Sequence, residues 1–312
     1  MLFQFYKIQI HKRNADSEGG KPDFSREISN FKSYFLGTKI NAYTVGVRPS
    51  DPPTLYENRL YQDKLSGDFV LMQLCSNRKV TKTLNFEKVK EDTHPYCNLL
   101  FDLRPDRMLL AIEKSRAFSS DPDSVRDLVE EFFKNLIAPQ YGFSVTFGNM
   151  VRPIDFWEFV EERKRNNDDI KKIEFNFPSE RKDNIKGDED IVAFLRYSRA
   201  LGQAFNAAMQ QWIYESSSSL RLQQTNEDVR RLVDFFLYNA YDITIHFKDR
   251  GVCRSTRDVN KPIFKLFTEH FIDNFITGQT VFIEDTGATT YSIMLWIDRR
   301  MPELEEYDTE KA

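Results

Sequence analysis

The chain has 312 residues, a formal net charge of -4 and 29% charged residues, with 27 Phe, 13 Tyr and 3 Trp against only 12 Gly and 12 Pro. This composition forms a sizeable core, as one large domain or two, and excludes an intrinsically disordered chain. The acidic balance excludes a global electrostatic footprint for nucleic acid and leaves only a locally basic face to meet one.

Three cysteines (Cys75, Cys97 and Cys253) lie far apart and cannot all pair within the chain, which fits a reduced, cytoplasmic setting. The N-terminal run places charge after a short apolar stretch, so it does not read as a signal peptide. No stretch approaches the roughly 18 apolar residues of a membrane span, so no membrane insertion is expected.

Residues 1–11 alternate like a strand, and 14–21 (NADSEGGK) read as a polar turn. Ile28, Phe31 and Phe35 share a helical face that Gly37 ends. Three or four strands fit into residues 39–89, broken at PSDPP, SGD and SNRK, and such close spacing predicts an antiparallel meander.

Residues 98–180 alternate strands with well-capped helices. Asp121 and Pro122 form an N-cap and first-turn pair, ahead of an apolar face of Val125, Leu128, Val129, Phe132, Phe133, Leu136 and Ile137. Pro153 opens a second helix with Ile154, Trp157 and Val160 in line, and the strand IKKIEFNF follows.

The polar, charged stretch 181–189 (RKDNIKGDE) reads as a linker and marks the main boundary. After it, Asp188 caps a helix expected to run unbroken over 189–214, buried on its Leu195, Phe205, Met209 and Trp212 face. Its alanines, Ala200, Ala204, Ala207 and Ala208, let another element approach closely. Thr225 and Asp228 read as a capping box for a helix bearing Val229, Leu232, Val233, Phe236 and Leu237. Residues 242–256 alternate on both sides of Asp249-Arg250-Gly251, a hairpin signature. A helix is expected over 261–276, a last hairpin over 280–297, and an acidic frayed tail over 301–312.

The fold class that follows is α+β: a mostly antiparallel sheet with packed helices over residues 1–180, then a helical lobe with two β-hairpins over 188–300.

Motifs for chemistry are sparse. There is no P-loop, dinucleotide-binding glycine pattern, nucleophile elbow or paired-cysteine zinc spacing. The four histidines (His11, His94, His246 and His270) share no ligand spacing. No cofactor and no metal are therefore expected. A restriction-type nuclease needs a carboxylate at a strand end and a Glu and Lys one residue apart on the next strand, so that the acids hold a metal. Asp102, Asp106 and Glu113-Lys114 come nearest, but the adjacent Glu and Lys point to opposite strand faces.

The strongest candidate for a site is the basic cluster Lys248, Arg250, Arg254, Arg257, Lys261 and Lys265, against only Asp249 and Asp258. Cations on a hairpin and on the element after it suit a phosphate backbone, with Ser255 and Thr256 as extra donors. The alternative is a solvated hairpin whose cations pair with the acidic tail. A second patch, Arg163, Lys164, Arg165, Lys171 and Lys172, stands among Glu161, Glu162, Asp168 and Asp169 and reads as a wet helix end. Trp157, Phe156 and Phe159 read either as base-stacking rings or as core.

The order of pieces also resembles a known layout. A β-rich start runs into LLFDLRPDRMLLAIEKS, then a helix ending EEFF, a strand, IDFWEFVEE, IKKIEFNFPSE, and later a hairpin carrying RSTRD. This resembles an uncharacterised bacterial family found among phage-defence genes and, more distantly, the lambda exclusion protein RexA. The resemblance implies a homodimer that binds double-stranded DNA and acts as an abortive-infection sensor, without catalysis. The alternatives are a metal-dependent nuclease effector and a subunit that binds a partner protein from the same defence operon.

Overall fold

The computed structural model describes residues 1–12, 43–45, 54–62, 67–84, 86–104, 107–137, 143–166, 168–178, 188–205, 209–248 and 251–259, with isolated positions 33, 207, 261, 263–265, 272, 275 and 276. The architecture is α+β with antiparallel sheets. Two compact units are present: Met1–Phe5, Gly19–Val145 and Ile263–Ser292 in the first, Tyr6–Glu18, Thr146–Pro262 and Ile293–Ala312 in the second.

The strands of the first unit are the start of β1 (Leu2–Lys12, whose residues from Tyr6 on fall in the second unit), β2 (Tyr43–Val45), β3 (Thr54–Gln62), β4 (Phe69–Ser76), β5 (Arg78–Leu84), β6 (Glu87–Thr93), β7 (Tyr96–Asp102) and β8 (Leu109–Glu113). Strand β9 (Phe143–Asn149) pairs with β1, and the main sheet runs β14-β1-β8-β7-β4-β3-β2, with β14 at Ile263–Lys265. β2, β3, β4, β7 and β8 pair antiparallel in that order, as the meander pattern predicts. β5 and β6 form a separate hairpin.

Helix α1 (Pro122–Phe132) lies against this sheet because its cap and its apolar spacing agree. The Asp121 carboxylate accepts from the Asp123 and Ser124 backbone N–H groups, and Pro122, Val125, Val129 and Phe132 are buried. One π-helical turn, Phe133–Ile137, continues it.

The second unit holds a four-stranded sheet, β11-β10-β12-β13, built from β10 (Ile170–Pro178), β11 (Met209–Glu215), β12 (Asp242–Phe247) and β13 (Val252–Arg254). Helices α2 (Pro153–Arg165), α3 (Glu189–Ala204) and α4 (Glu227–Tyr238) supply the remaining core, in which Phe156, Trp157, Phe175, Phe177, Phe235 and Phe236 are buried. The Phe236 ring touches Phe175, Trp212 and Tyr241, with centroids 4.9, 5.5 and 5.4 Å away.

The structure corrects three expectations. The helix predicted over 189–214 stops at Ala204, where the Phe205 N–H closes onto Leu201 O, and the chain re-enters as β11. Seven register pairs with β10, from Lys172↔Glu215 to Pro178↔Met209, outweigh helical period in a segment rich in strand-forming Trp, Ile and Tyr. Leu195 is buried as expected and Trp212 packs partly buried against the core, but Phe205 and Met209 are exposed. The cap of α4 is Asn226, whose Oδ1 accepts from Val229 N–H, not the Thr225–Asp228 box. Residues after Pro262 begin as β14, pairing with Leu2–Gln4 of β1, not as a helix. The linker at 181–187, the hairpin at 280–297, the acidic tail and nearly all of the helix at 25–35 lie outside the described residues.

Candidate nucleic-acid interface

The β12–β13 hairpin is present where the sequence places it. Thr244 pairs with Arg254, Ile245 with Cys253 and His246 with Val252. The turn closes with the Phe247 N–H donating to Gly251 O, and Gly251 stands at φ +77, a left-handed conformation that a side chain would strain. On β13, Val252 and Arg254 are exposed while Cys253 between them is buried, the two-residue alternation of an edge strand with one face on the core.

A single helical turn, α5 (Ser255–Asp258), follows directly. Its position is set by Asp242, whose Oδ1 accepts from the Thr256 hydroxyl at 2.8 Å. Ser255 is buried, and its Oγ accepts from the Ile243 N–H at 2.9 Å. Asn149 Nδ2 donates to Thr256 O at 2.6 Å. The hydroxyls of Ser255 and Thr256, expected as donors to a ligand, are therefore spent on holding the turn.

The cations fall into different classes. Arg257 pairs with Asp258 through Nε at 2.9 Å and Nη2 at 3.0 Å. This pairing holds the Asp258 carboxyl below the usual carboxylate range, with burial opposing it. Asp258 also accepts the Arg254 backbone N–H at 2.8 Å. The Arg254 side chain is exposed and meets no carboxylate among the described residues. Lys248 is exposed at the end of β12, anchored by its backbone N–H to Asp169 O at 2.8 Å. Arg250 lies outside the described residues, Lys261 is half-buried, and Lys265 belongs to β14 in the first unit.

One residue of the second basic patch, read from the sequence as part of a wet helix end, joins the hairpin instead. Arg163, in the last turn of α2, lays its guanidinium over Phe159 and Phe247 at 5.1 and 5.9 Å. Burial pushes the Cys253 thiol up, and Arg163 and Arg257 pull it back down, which places both arginines beside the hairpin. The pattern EERKR shows a charged helix end, but only the packing of α2 on β12 brings Arg163 there.

Beyond the hairpin, the outer face of β10 and β12 is polar. Glu174 Oε1 accepts from Lys172 Nζ at 2.7 Å and lies 3.0 Å from His246 Nε2, and Lys172, then burial in the opposite sense, sets its lowered pKa. Gln211 Nε2 donates to Asn176 Oδ1, and Asn176 Nδ2 to Thr244 Oγ1. In the second basic patch, Lys164 pairs with Glu161 at 2.7 Å. Phe156 and Trp157 are fully buried and serve the core.

The carboxylates nearest to a nuclease pattern are already engaged. Asp102 is buried and takes Arg104 Nε and Nη2 at 2.9 and 2.6 Å, and Glu113 Oε2 accepts both the backbone and side-chain N–H groups of Asn98. Among the described residues no group of three His, Cys, Asp or Glu stands close enough to hold a metal ion. Asp106 lies outside the described residues. Among the described residues no helix is long and apolar enough to cross a membrane. No family model, no curated protein and no solved structure matches the chain.

Proposed function

We propose that the protein is a non-catalytic, cytosolic binder of double-stranded DNA that works as a homodimer in an abortive-infection type of phage defence, with the β12–β13 edge of the second unit as its phosphate-contacting surface. The defence role and the duplex preference are supported by the resemblance of layout. The surface is supported by the chemistry of the hairpin.

The observation that carries the reading is the Arg254 side chain. It leaves an edge strand whose position is fixed by Asp258, Asp242 and Ser255, and no carboxylate among the described residues offsets its charge. Lys248 stands at the other end of the same hairpin. Two exposed cations on a rigid ribbon meet phosphates with little ordering cost. Arg257, half-balanced by Asp258, contributes less. The acidic net charge does not oppose this at contact range, because salt screens it beyond about 8 Å.

The test is binding of the full chain to a labelled random-sequence duplex, followed by anisotropy at two salt concentrations. Salt-sensitive binding that Arg254→Ala weakens supports the reading. Binding indifferent to that substitution removes the hairpin from the interface.

A further inference from the structure

Helix α3 is apolar on two faces. One buries Val192, Leu195 and Gly202 in the second unit, with Arg199 among them donating to the Tyr241 hydroxyl. The other carries Phe194, Tyr197, Leu201 and, just past the helix, Phe205, which are 56, 64, 43 and 80% exposed. The spacing puts these four side chains in one stripe.

The neighbouring strand β11 is the edge of its sheet and pairs only with β10 among the described residues. From Met209 to Tyr214 it has no charge and no proline, the devices that usually blunt an edge strand. Met209 and Ile213 are 57 and 49% exposed. Both point to the sheet face away from α3, whereas Trp212 and Tyr214 lie on the α3 side, where the Trp212 ring stands 4.9 Å from Phe194 and joins the strand to the helical stripe. Gln210 Nε2, on the α3 side, also donates to Ser198 O at 2.7 Å, so this side of the strand and the stripe form one surface.

We propose that this surface is the two-fold interface with a second copy of the chain: β11 pairs antiparallel with β11 of that copy, and the two α3 stripes close over the joint. This rests on the homodimer of the preceding reading and names its surface. The occupant follows from two properties. A two-fold contact needs one self-complementary patch, and β11 centred on Trp212 sets Met209 against Glu215 and Gln211 against Ile213, so no like charges oppose. The area also fits. Set against the about 150–250 Å² that one buried aromatic side chain covers, the exposed parts of the α3 stripe and of Tyr214, 52% exposed on the same side, amount to roughly 600 Å² per copy, about 1,200 Å² in all and the lower end of the range for specific interfaces. A patch of that size stands at the top of the range that monomers leave open.

The test is sedimentation equilibrium of the full chain without nucleic acid, with hydrogen exchange of residues 189–215 at low and high protein concentration. A dimer is expected, with β11 amides protected only at high concentration. The double substitution Tyr197→Glu and Phe205→Glu should raise the dimer dissociation constant on the order of a hundredfold and leave the melting temperature unchanged when it is measured at concentrations where the parent is monomeric, since both side chains are then exposed. Exchange on the parent protein decides the matter should that variant fail to fold. A monomer at every concentration overturns the proposal. So does a dimer whose protection lies elsewhere, or β11 protection that appears only when a different protein is added. An intact dimer that does not bind DNA would count against the nucleic-acid reading alone.

Discussion

Gln9 and Ala240 meet across 231 residues of sequence: the Gln9 Nε2 donates to the Ala240 carbonyl at 3.2 Å. Ala240 stands at φ +51, so its carbonyl is aimed by a left-handed turn after α4. Gly148 on β9 makes room for this contact, because a Cβ there would lie 2.3 Å from Gln9 Nε2 and 3.1 Å from Ala240 O. Gly148→Ala should displace the Gln9 side chain, leave a buried polar group short of a partner, and cost about 1–3 kcal/mol. Urea unfolding of the variant checks this, and an unchanged midpoint would show that the site relaxes freely.

Trp157 donates its indole N–H to Asp234 Oδ1 at 3.2 Å in the second unit. Burial pushes the Asp234 carboxyl above its ordinary value, with Trp157 and Arg230 pulling it down. A raised folded pKa favours the protonated form, so this contribution to stability is fully present below the unfolded pKa and lost as pH rises through the folded one. Asp234→Asn keeps the acceptor and removes the charge. It should therefore melt at or above the parent at neutral pH, with the gap narrowing under acid. A gap that widens towards acid pH would contradict the assignment. Asp234→Ala, which strands the Trp157 N–H, should instead cost about 1–3 kcal/mol.

Ser255 is the hinge of the basic edge. Ser255→Ala removes the acceptor of the buried Ile243 N–H and should destabilise the chain by about 1–3 kcal/mol. Because Asp242 and Asp258 hold the rest of the turn, DNA affinity measured well below the melting temperature should fall far less than with Arg254→Ala. An affinity loss equal to that of Arg254→Ala would mean that the serine, not the arginine, faces the ligand.

Local signals carried much of the fold. The Asp121-Pro122 cap, the Pro153 helix start, the meander and the Asp249–Gly251 hairpin each depend on neighbours in sequence, and all four were legible. Residues 189–214 were misread because Trp212 and Ile213 fit a helical period as well as a strand. The choice is made by the open side of β10, which no local pattern encodes. The site was half legible for the same reason. The hairpin cations stand in one run, but the Asp258 partner that mutes Arg257 and the aromatic bed that brings Arg163 to the hairpin come from folding. The edge position of β11 among the described residues and the outward stripe of α3 belong to this second class.

The most direct test is the salt dependence of duplex DNA binding by the parent chain and by the double variant Lys248→Ala with Arg254→Ala. Each neutralised phosphate releases condensed counterions, so the logarithm of affinity should fall linearly with the logarithm of salt, with a slope of roughly 0.9 per contact. The parent should therefore bind with a clear negative slope, and the double variant should be weaker with a slope shallower by about two units. Both substitutions remove exposed charges, so the melting temperature should hold. Parent binding that ignores salt, or a double variant with the parent's affinity and slope, would contradict the account.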